Sequence, residues 1–363
     1  MVDVEEGTIY DNTSPLILTQ QTQTPTQTQT PTQTQTTTQP KVLIIGGGAY
    51  LLINMFGIVK RAMDLNILDI KKITDIYASS AGSILGVFMA LQIEWDILIN
   101  YAIKRPPIPI FQNSINDKFN ALNLHHIYKK KGIISPHFFY DLFEPIFSYK
   151  GIKTDITISE FVALTGIEIH FSVMKVSDFS NIVVFNSKTA PDLPVIHAVH
   201  MSCSLPIFFQ PLDYKDDFYC DSGLFNNFPV NQAFDDGHNE NDILGILIRN
   251  MNDKRYFNPD GTYIDGFIPD ADADADAESK TQTIDTKNIK DMNIIEYLYH
   301  FYLQSIKRSS INNTLFKNML YLYKNRVNLS KFLDIINNEN VRQEEYDTGY
   351  IKCRGQFNDI KIA

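Results

Sequence analysis

The chain has few cysteines and no excess of positive charge, and each shortage excludes a class of protein. The three cysteines, Cys203, Cys220 and Cys353, show no Cys-x-x-Cys spacing. They therefore offer no disulfide framework or metal site and are typical of a reducing compartment. The 32 lysines and arginines face 42 aspartates and glutamates, a formal net charge of −10. This balance argues against a nucleic-acid partner held by a broad basic face, and we interpret the basic run Lys129-Lys130-Lys131 as a solvated face.

The sequence also lacks an evident secretion signal or membrane span. Residues 1–7 are acidic and have no apolar core, so we expect no signal peptide. The uncharged run over residues 42–59 has nearly the length of a span. Three consecutive glycines and Asn54 interrupt this run and favour a strand, a loop and a helix. We therefore predict no transmembrane segment and an intracellular, cytoplasmic protein that contacts membranes only peripherally.

Composition changes along the chain predict its organisation. Residues 1–40 end in a tract of threonine, glutamine and proline that cannot offset the entropy of ordering, so we expect a disordered arm. A folded domain is predicted over 41–249, since 44% of the chain is hydrophobic. Residues 250–291 contain an Asp-Ala repeat without calcium-loop spacing and are predicted to be an acidic, flexible insertion. For residues 292–363 we predict a helical extension that packs on the domain.

The start of the folded domain predicts its fold class. A β-rich run at Lys41–Ile45 leads through glycines into a helical pattern over Met55–Met63, and a second strand-like run begins at Ile73. The helix that follows Ser80 is apolar on nearly every side and should be buried. This βαβα order favours an α/β fold with a parallel-rich central sheet flanked by helices.

The turn after the second strand carries a candidate nucleophile. Ala78-Ser79-Ser80-Ala81-Gly82 is a close variant of the Gly-x-Ser-x-Gly elbow, in which a sharp strand-to-helix turn exposes a serine hydroxyl. Acyl transfer by serine needs a general base within hydrogen-bond reach and fixed N–H groups for the oxyanion. The unobstructed amides of Gly46, Gly47 and Gly48, with that of Ala81, are candidates for the oxyanion site.

In this order the motifs resemble those of the patatin-like phospholipases. That family combines a triple-glycine loop, a serine elbow and an aspartate motif, and the resemblance covers about residues 41–249. Two flanking segments, one before and one after the aspartate, add specificity to the match. The corresponding segments here are Gly46-Gly47-Gly48, Ala78-Ser79-Ser80-Ala81-Gly82, Ser202-Cys203-Ser204-Leu205-Pro206, Asp221-Ser222-Gly223 and Asn226-Asn227-Phe228-Pro229-Val230.

The resemblance implies a patatin-like fold and a Ser80–Asp221 dyad that works without histidine. Asp221 would accept the Ser80 proton and later activate water, while Gly47, Gly48 and Ala81 would hold the oxyanion. The implied substrate is a fatty-acyl ester of a phospholipid or related lipid, met at a membrane surface or micelle. No metal and no cofactor are implied.

Three departures from the family pattern motivate an alternative. Ala49-Tyr50-Leu51 replaces a segment with a basic residue and a glycine, Ala78 replaces the first glycine of the elbow, and Ser222 replaces the second residue of the aspartate motif. Together they leave open a catalytically weakened or inactive relative that binds lipid or protein.

A second alternative is an acyltransferase whose serine works with a histidine. The candidate histidines are His197, His200, His238 and His300. A nucleotide-binding interpretation of the glycine loop is weak, because no P-loop lysine and no Gly-x-Gly-x-x-Gly are present. Richness in asparagine, isoleucine, lysine and tyrosine is typical of an AT-rich genome, such as that of a large DNA virus, for which the host cytoplasm is the expected compartment.

Overall fold

The computed structural model describes residues 39–105, 128–249, 317–324, 334–358 and 360–362, which belong to one compact unit. The predicted arm up to residue 38, the predicted insertion over 250–291 and the helical pattern that begins at Asn293 lie outside these residues. The predictions for those segments therefore stay predictions.

Most of the described strands form one mixed sheet. In chain order the strands are β1 Val42–Ile45, β2 Asp75–Ser79, β3 Gly132–Ile134, β4 Glu168–Lys175, β5 Asp178–Phe185, β6 Ile207–Phe209, β7 Asp213–Tyr214, β8 Asp217–Asp221, β9 Ile243–Arg249, β10 Met319–Tyr323, β11 Arg354–Phe357 and β12 Ile360–Ile362. The sheet order is β12-β11-β10-β9-β1-β2-β4-β8-β7, with β5 also paired to β4, while β3 and β6 form a separate parallel pair.

The centre of the sheet is parallel, as the βαβα pattern predicts. Strands β10, β9, β1, β2 and β4 all run in one direction. Their side chains alternate between two apolar layers, so Leu43 and Ile76 face one layer while Ile44 and Tyr77 face the other. The predicted α/β fold class, a parallel-rich sheet flanked by helices, is confirmed.

Helices cover both faces of this sheet. The α-helices are α1 Leu52–Asp64, α2 Ala81–Ala90, α3 Trp95–Lys104, α4 His137–Tyr149, α5 Ile158–Thr165, α6 Val195–Cys203, α7 Val230–Asp235 and α8 Glu339–Ile351. Every residue of α2 is buried, which agrees with its apolar sequence. Helix α5 begins with a capping box, in which Thr157 and Glu160 bond each other's backbone amides, and ends at left-handed Gly166.

The C-terminal extension differs from its prediction as a wholly helical segment. Residues Met319–Tyr323 form β10, which adds to β9 in parallel, and β11 and β12 extend the sheet beyond it. All five residues of β10 are buried. A short apolar run fits a doubly covered strand as well as one turn of a buried helix, so its spacing alone does not distinguish them.

Among the residues that the structure describes, no helix is both long and apolar enough to cross a bilayer.

Candidate active site

Ser80 occupies the turn between β2 and α2 in a conformation that side chains rarely adopt. Its φ is 54° and its ψ is −133°. A non-glycine residue at such angles costs about 1–3 kcal/mol and persists only where its surroundings hold it in place. Ser80 is also the residue that precedes the first turn of α2, whose N-terminus favours negative charge. The strand, turn and helix that the elbow pattern predicts are therefore all present around Ser80.

The sheet register explains why Ser80 and Asp221 come together. Strand β5 pairs along one edge of β4, whose other edge is shared by β2 and β8. Strand β2 runs parallel to β4 and ends with Ser79 opposite Ser172. Strand β8 runs antiparallel to β4 and ends with Asp221 opposite Val173. The two strands therefore run toward each other along one edge and bring Ser80 and Asp221 to the same level.

Asp221 is held at the end of β8 by two backbone contacts. Its N–H donates to the Ser204 carbonyl at 3.0 Å, and its Oδ1 accepts the Gly223 N–H at 2.7 Å. The side chain is 2% exposed. Burial raises the pKa of the neighbouring Cys203 and Cys220 thiols, and the negative charge of Asp221 raises it further. These contacts fix the orientation of a buried carboxylate that is suited to accept a proton.

Asn227 ties the glycine loop to the aspartate motif. Its Nδ2 donates to the Gly47 carbonyl at 2.7 Å, and its own carbonyl accepts the Gly47 N–H at 3.0 Å. A Cβ on Gly47 would lie 2.2 Å from Asn227 Oδ1 and 2.8 Å from Ser80 Cβ. A Cβ on Gly223 would lie 2.6 Å from the same Oδ1 and 2.9 Å from Asp221 Oδ1. Only glycine fits at position 47, because the loop passes directly between Asn227 and the candidate nucleophile.

A buried group of five serines lies beneath the site. Ser202 Oγ accepts the Ser80 N–H at 3.1 Å, lies 2.8 Å from Ser83 Oγ and donates to the Ser172 carbonyl at 2.9 Å. Ser79 and Ser222, the neighbours of the two candidate catalytic residues, have their hydroxyls 3.1 Å apart. This serine cluster (Ser79, Ser83, Ser172, Ser202 and Ser222) joins the ends of β2 and β8 and the middle of β4 to α2 and α6.

In the sequence, the Ser-x-Ser and Asn-Asn segments are only matches to a family pattern. The structure shows that Ser202 holds the amide of Ser80, that the Ser204 carbonyl holds the amide of Asp221, and that Asn227 holds the glycine loop. Their occurrence next to the catalytic motifs was the available signal. The contacts themselves depend on tertiary structure.

The hydrogen bonds of the glycine loop differ from the sequence expectation. Gly46 N–H donates to the Ile246 carbonyl and Gly47 N–H to that of Asn227, both at 3.0 Å. These two amides are therefore engaged in this conformation and do not face an oxyanion. Within the described ranges the amides of Gly48 and Ala81 have no acceptor, which leaves them as the candidate donors.

Ser80 lines a cavity of about 190 Å³ that is mainly apolar. Helices α1, α2, α3 and α4 contribute to its walls, as do the residues around β6. Its apolar lining includes Phe56, Ile84, Phe88, Phe139, Leu142 and Phe209. Such a cavity suits a hydrocarbon chain next to a reactive serine. Two further residues of the lining, Arg105 and Arg342, have no recognisable signal in the sequence.

The departures from the family pattern occupy defined places. Ala78 lies within β2 rather than in the strained turn, and its Cβ faces Gly86 of α2. Tyr50 is buried and contributes to the cavity wall where a basic residue is expected. Ser222 is buried in the serine cluster and donates to the Ser172 carbonyl at 3.1 Å. None of the three substitutions disturbs the arrangement of β2, β4 and β8.

The histidines that the sequence singled out have other environments. His200 is buried against Phe139 and Phe209, its Nε2 lies 2.7 Å from the Gln210 carbonyl, and burial lowers its pKa to about 4. His197 lies 2.9 Å from the Tyr140 hydroxyl. His238 is half-buried, with its ring edge against Tyr77. His300 lies outside the described residues, and no histidine among the described ones lines the cavity of Ser80.

The described residues contain no cluster of histidine, cysteine and acidic side chains that could hold a metal ion.

Ser80 Oγ makes no hydrogen bond within the described ranges, so its hydroxyl faces the cavity without a partner there.

Comparison with known proteins gives matches in viruses. A probable lipid hydrolase of Invertebrate iridescent virus 6 is 28% identical over 202 residues, which cover 53% of this chain and 63% of that protein. The match thus spans somewhat less than two thirds of the relative's length. An uncharacterized protein of Acanthamoeba polyphaga mimivirus is 25% identical over 61% of this chain and 68% of its own length.

Two solved structures to which this chain is similar come from bacteria. VipD of Legionella pneumophila aligns over 88% of this chain and 68% of its own, with 12% identity and a TM-score of 0.46. ExoU of Pseudomonas aeruginosa aligns over 88% of this chain and 54% of its own, with 13% identity and a TM-score of 0.34. The family profile of patatin-like phospholipases matches residues 43–234, more than half of the chain and every motif described above. The chain belongs to the patatin-like phospholipase family.

Proposed function

We propose that this protein hydrolyses fatty-acyl esters of phospholipids or related lipids through a Ser80–Asp221 dyad. The observation that carries the proposal is the meeting of β2 and β8 end to end on one edge of β4. That arrangement brings a buried carboxylate level with a strained serine, and the serine lines an apolar cavity. Family membership and the lipid hydrolase relative support the substrate class.

In the proposed reaction Asp221 accepts the proton of Ser80 Oγ as the oxygen attacks the ester carbonyl. The tetrahedral intermediate collapses, the C–O bond to the alcohol breaks, and Asp221 returns the proton to the departing oxygen. Water then gives a proton to Asp221 and attacks the acyl-enzyme, which releases the fatty acid and restores Ser80. Catalytic hydrogen bonds commonly tighten only when substrate binds, so the contact of Asp221 Oδ1 with the Gly223 N–H is compatible with this role.

The amides of Gly48 and Ala81 are the proposed oxyanion donors. Ala81 is the first residue of α2, where backbone N–H groups have no partner within the helix. Gly48 ends the glycine loop and precedes a short 3-10 turn over Ala49–Leu51. The helix N-terminus adds a favourable potential for the developing charge.

The proposal is tested by acyl release from mixed phospholipid micelles. Wild-type protein is expected to release fatty acid, whereas Ser80→Ala and Asp221→Asn should each reduce the rate by at least about 1,000-fold. Ser204→Ala serves as a matched control, because it removes a buried hydroxyl of the same region but keeps the carbonyl that holds Asp221. A fluorophosphonate should label wild type but not Ser80→Ala. Equal release by wild type and Ser80→Ala would refute the proposal.

A lipid-binding relative without turnover is the second candidate. It is favoured by the engaged amides of Gly46 and Gly47 and by Tyr50 in place of a basic residue. This candidate predicts that wild type and Ser80→Ala bind a fatty acid equally, while neither releases acyl chains at high protein concentration. Peripheral contact with a membrane surface or micelle is part of both candidates. The intracellular location stays a prediction.

A further inference from the structure

Two arginines line the cavity that contains Ser80. Arg105 follows the last residue of α3, and Arg342 extends from α8. Both contribute to a lining that is otherwise mainly aliphatic and aromatic. A guanidinium in such surroundings is unfavourable unless partners compensate for the lost water. The two side chains differ in how far this compensation goes.

Arg342 has a structural explanation. Its Nε and one terminal nitrogen donate to the carbonyls of Ile103 and Arg105 at 2.6 and 2.8 Å, and the other terminal nitrogen donates to Ile336 at 2.5 Å. Two of these carbonyls lie at the C-terminal end of α3, where a cation is stabilised by the helix dipole. Arg342 therefore caps α3 and is fully buried with its partners in place.

Arg105 lacks such compensation. Within the described ranges its guanidinium makes no hydrogen bond and no ion pair, although it offers five donors. Burial, together with the charge of Arg342, lowers its pKa to about 10, so it keeps its charge at neutral pH. Two adjacent cations in an apolar cavity create a local site for an anion, even though the whole chain carries a net charge of −10.

We propose that Arg105 binds an anionic oxygen group of the substrate, a phosphate or a carboxylate, while the acyl ester of the same molecule lies at Ser80. The arrangement that carries this proposal is one cavity with a serine hydroxyl, apolar walls and an uncompensated guanidinium. Guanidinium groups bind both anions through paired hydrogen bonds. The assignment deepens the proposed hydrolase function and rests on it for the role of Ser80.

Three esters with the same acyl chain test this specificity. They are octanoylglycerol, which is neutral, octanoylglycerate, which carries a carboxylate, and octanoylglycerol 3-phosphate. Arg105→Gln should raise KM for the preferred anionic ester by about 10- to 100-fold, the range expected for a charge-assisted hydrogen bond, and leave the neutral ester unchanged. Arg105→Lys should restore part of the affinity. The arm with the larger effect distinguishes phosphate from carboxylate.

Lys104→Gln is the matched control, since it removes the same charge one residue away at an exposed position outside the cavity lining. It should change none of the three KM values. An equal change for all three esters in Arg105→Gln, or no change, overturns the proposal. Calorimetric binding of the same esters to Ser80→Ala, with and without Arg105→Gln, does not need turnover. If Arg105→Gln abolishes binding of the anionic ester to Ser80→Ala while the wild type shows no turnover, the hydrolase proposal is refuted and the anion-binding role of Arg105 is retained.

Discussion

Replacement of Ser202 by alanine isolates the contact that holds the candidate nucleophile from below. Ser202 is fully buried, and its Oγ accepts the N–H of Ser80 at 3.1 Å. The substitution removes one oxygen atom and leaves the packing nearly unchanged. Any effect on turnover must therefore pass through hydrogen bonds rather than through a collapsed core.

The loss of stability in Ser202→Ala depends on which hydrogen-bond partners of Ser202 are left without any other bond. The Ser172 carbonyl keeps the hydroxyl of Ser222 at 3.1 Å, and the Ser83 hydroxyl can rotate toward another acceptor. The Ser80 N–H is the group left without a partner, which costs about 1–3 kcal/mol of unfolding free energy. The same loss frees a residue at φ 54°, whose strain its surroundings must hold. A displacement of Ser80 by a fraction of an ångström should reduce kcat by about 10-fold or more.

Urea unfolding and acyl-release kinetics measure the two effects separately, with Ser204→Ala as the control. Ser204 lies two residues away, is equally buried and donates only to the His200 carbonyl at 2.8 Å. Its contact with Asp221 uses the backbone, which alanine keeps. Ser204→Ala should therefore lose about 1 kcal/mol of stability and little activity. Full kcat in Ser202→Ala, or an equal loss of activity in both variants, would contradict this role of Ser202.

Three other variants test separate parts of the structure. Gly47→Ala places a Cβ 2.2 Å from Asn227 Oδ1 and should reduce turnover by at least about 100-fold. Gly151→Ala is its control, because an added Cβ there has no atom within 4 Å, and it should lower stability without changing activity. His200 is neutral when buried, with a pKa of about 4 against an ordinary 6.5. The unfolded chain therefore binds more protons between these values, and stability should fall by about 2 kcal/mol from pH 7 to pH 5. In His200→Gln this fall should be smaller in urea titrations, and an unchanged fall would assign it to other groups. Thr157→Ala removes the cap of α5 and should lower the unfolding free energy by about 1 kcal/mol, measured the same way, with turnover unchanged.

Local patterns in the sequence are sufficient to predict several helices and strands and to propose a candidate nucleophile. The β-rich run at Val42–Ile45, the apolar helix after Ser80 and the capping box at Thr157 each depend on neighbours within a few residues. Such short-range preferences can be recognised in a single sequence. The apolar run at Met319–Tyr323 fits a strand and a helix equally, so only its pairing with β9 decides between them.

Tertiary structure alone decides how the parts of the candidate site meet. The sequence places Ser80 and Asp221 after two strands, but parallel and antiparallel neighbours of β4 are not distinguished by composition. The register of β4 makes β2 and β8 end against each other, and it determines which glycine amides are engaged. Arg342 follows Arg105 by 237 residues, so no local pattern in the sequence relates the two arginines to each other. Their common cavity exists only because α3 and α8 pack beside the elbow, which is a property of the whole fold.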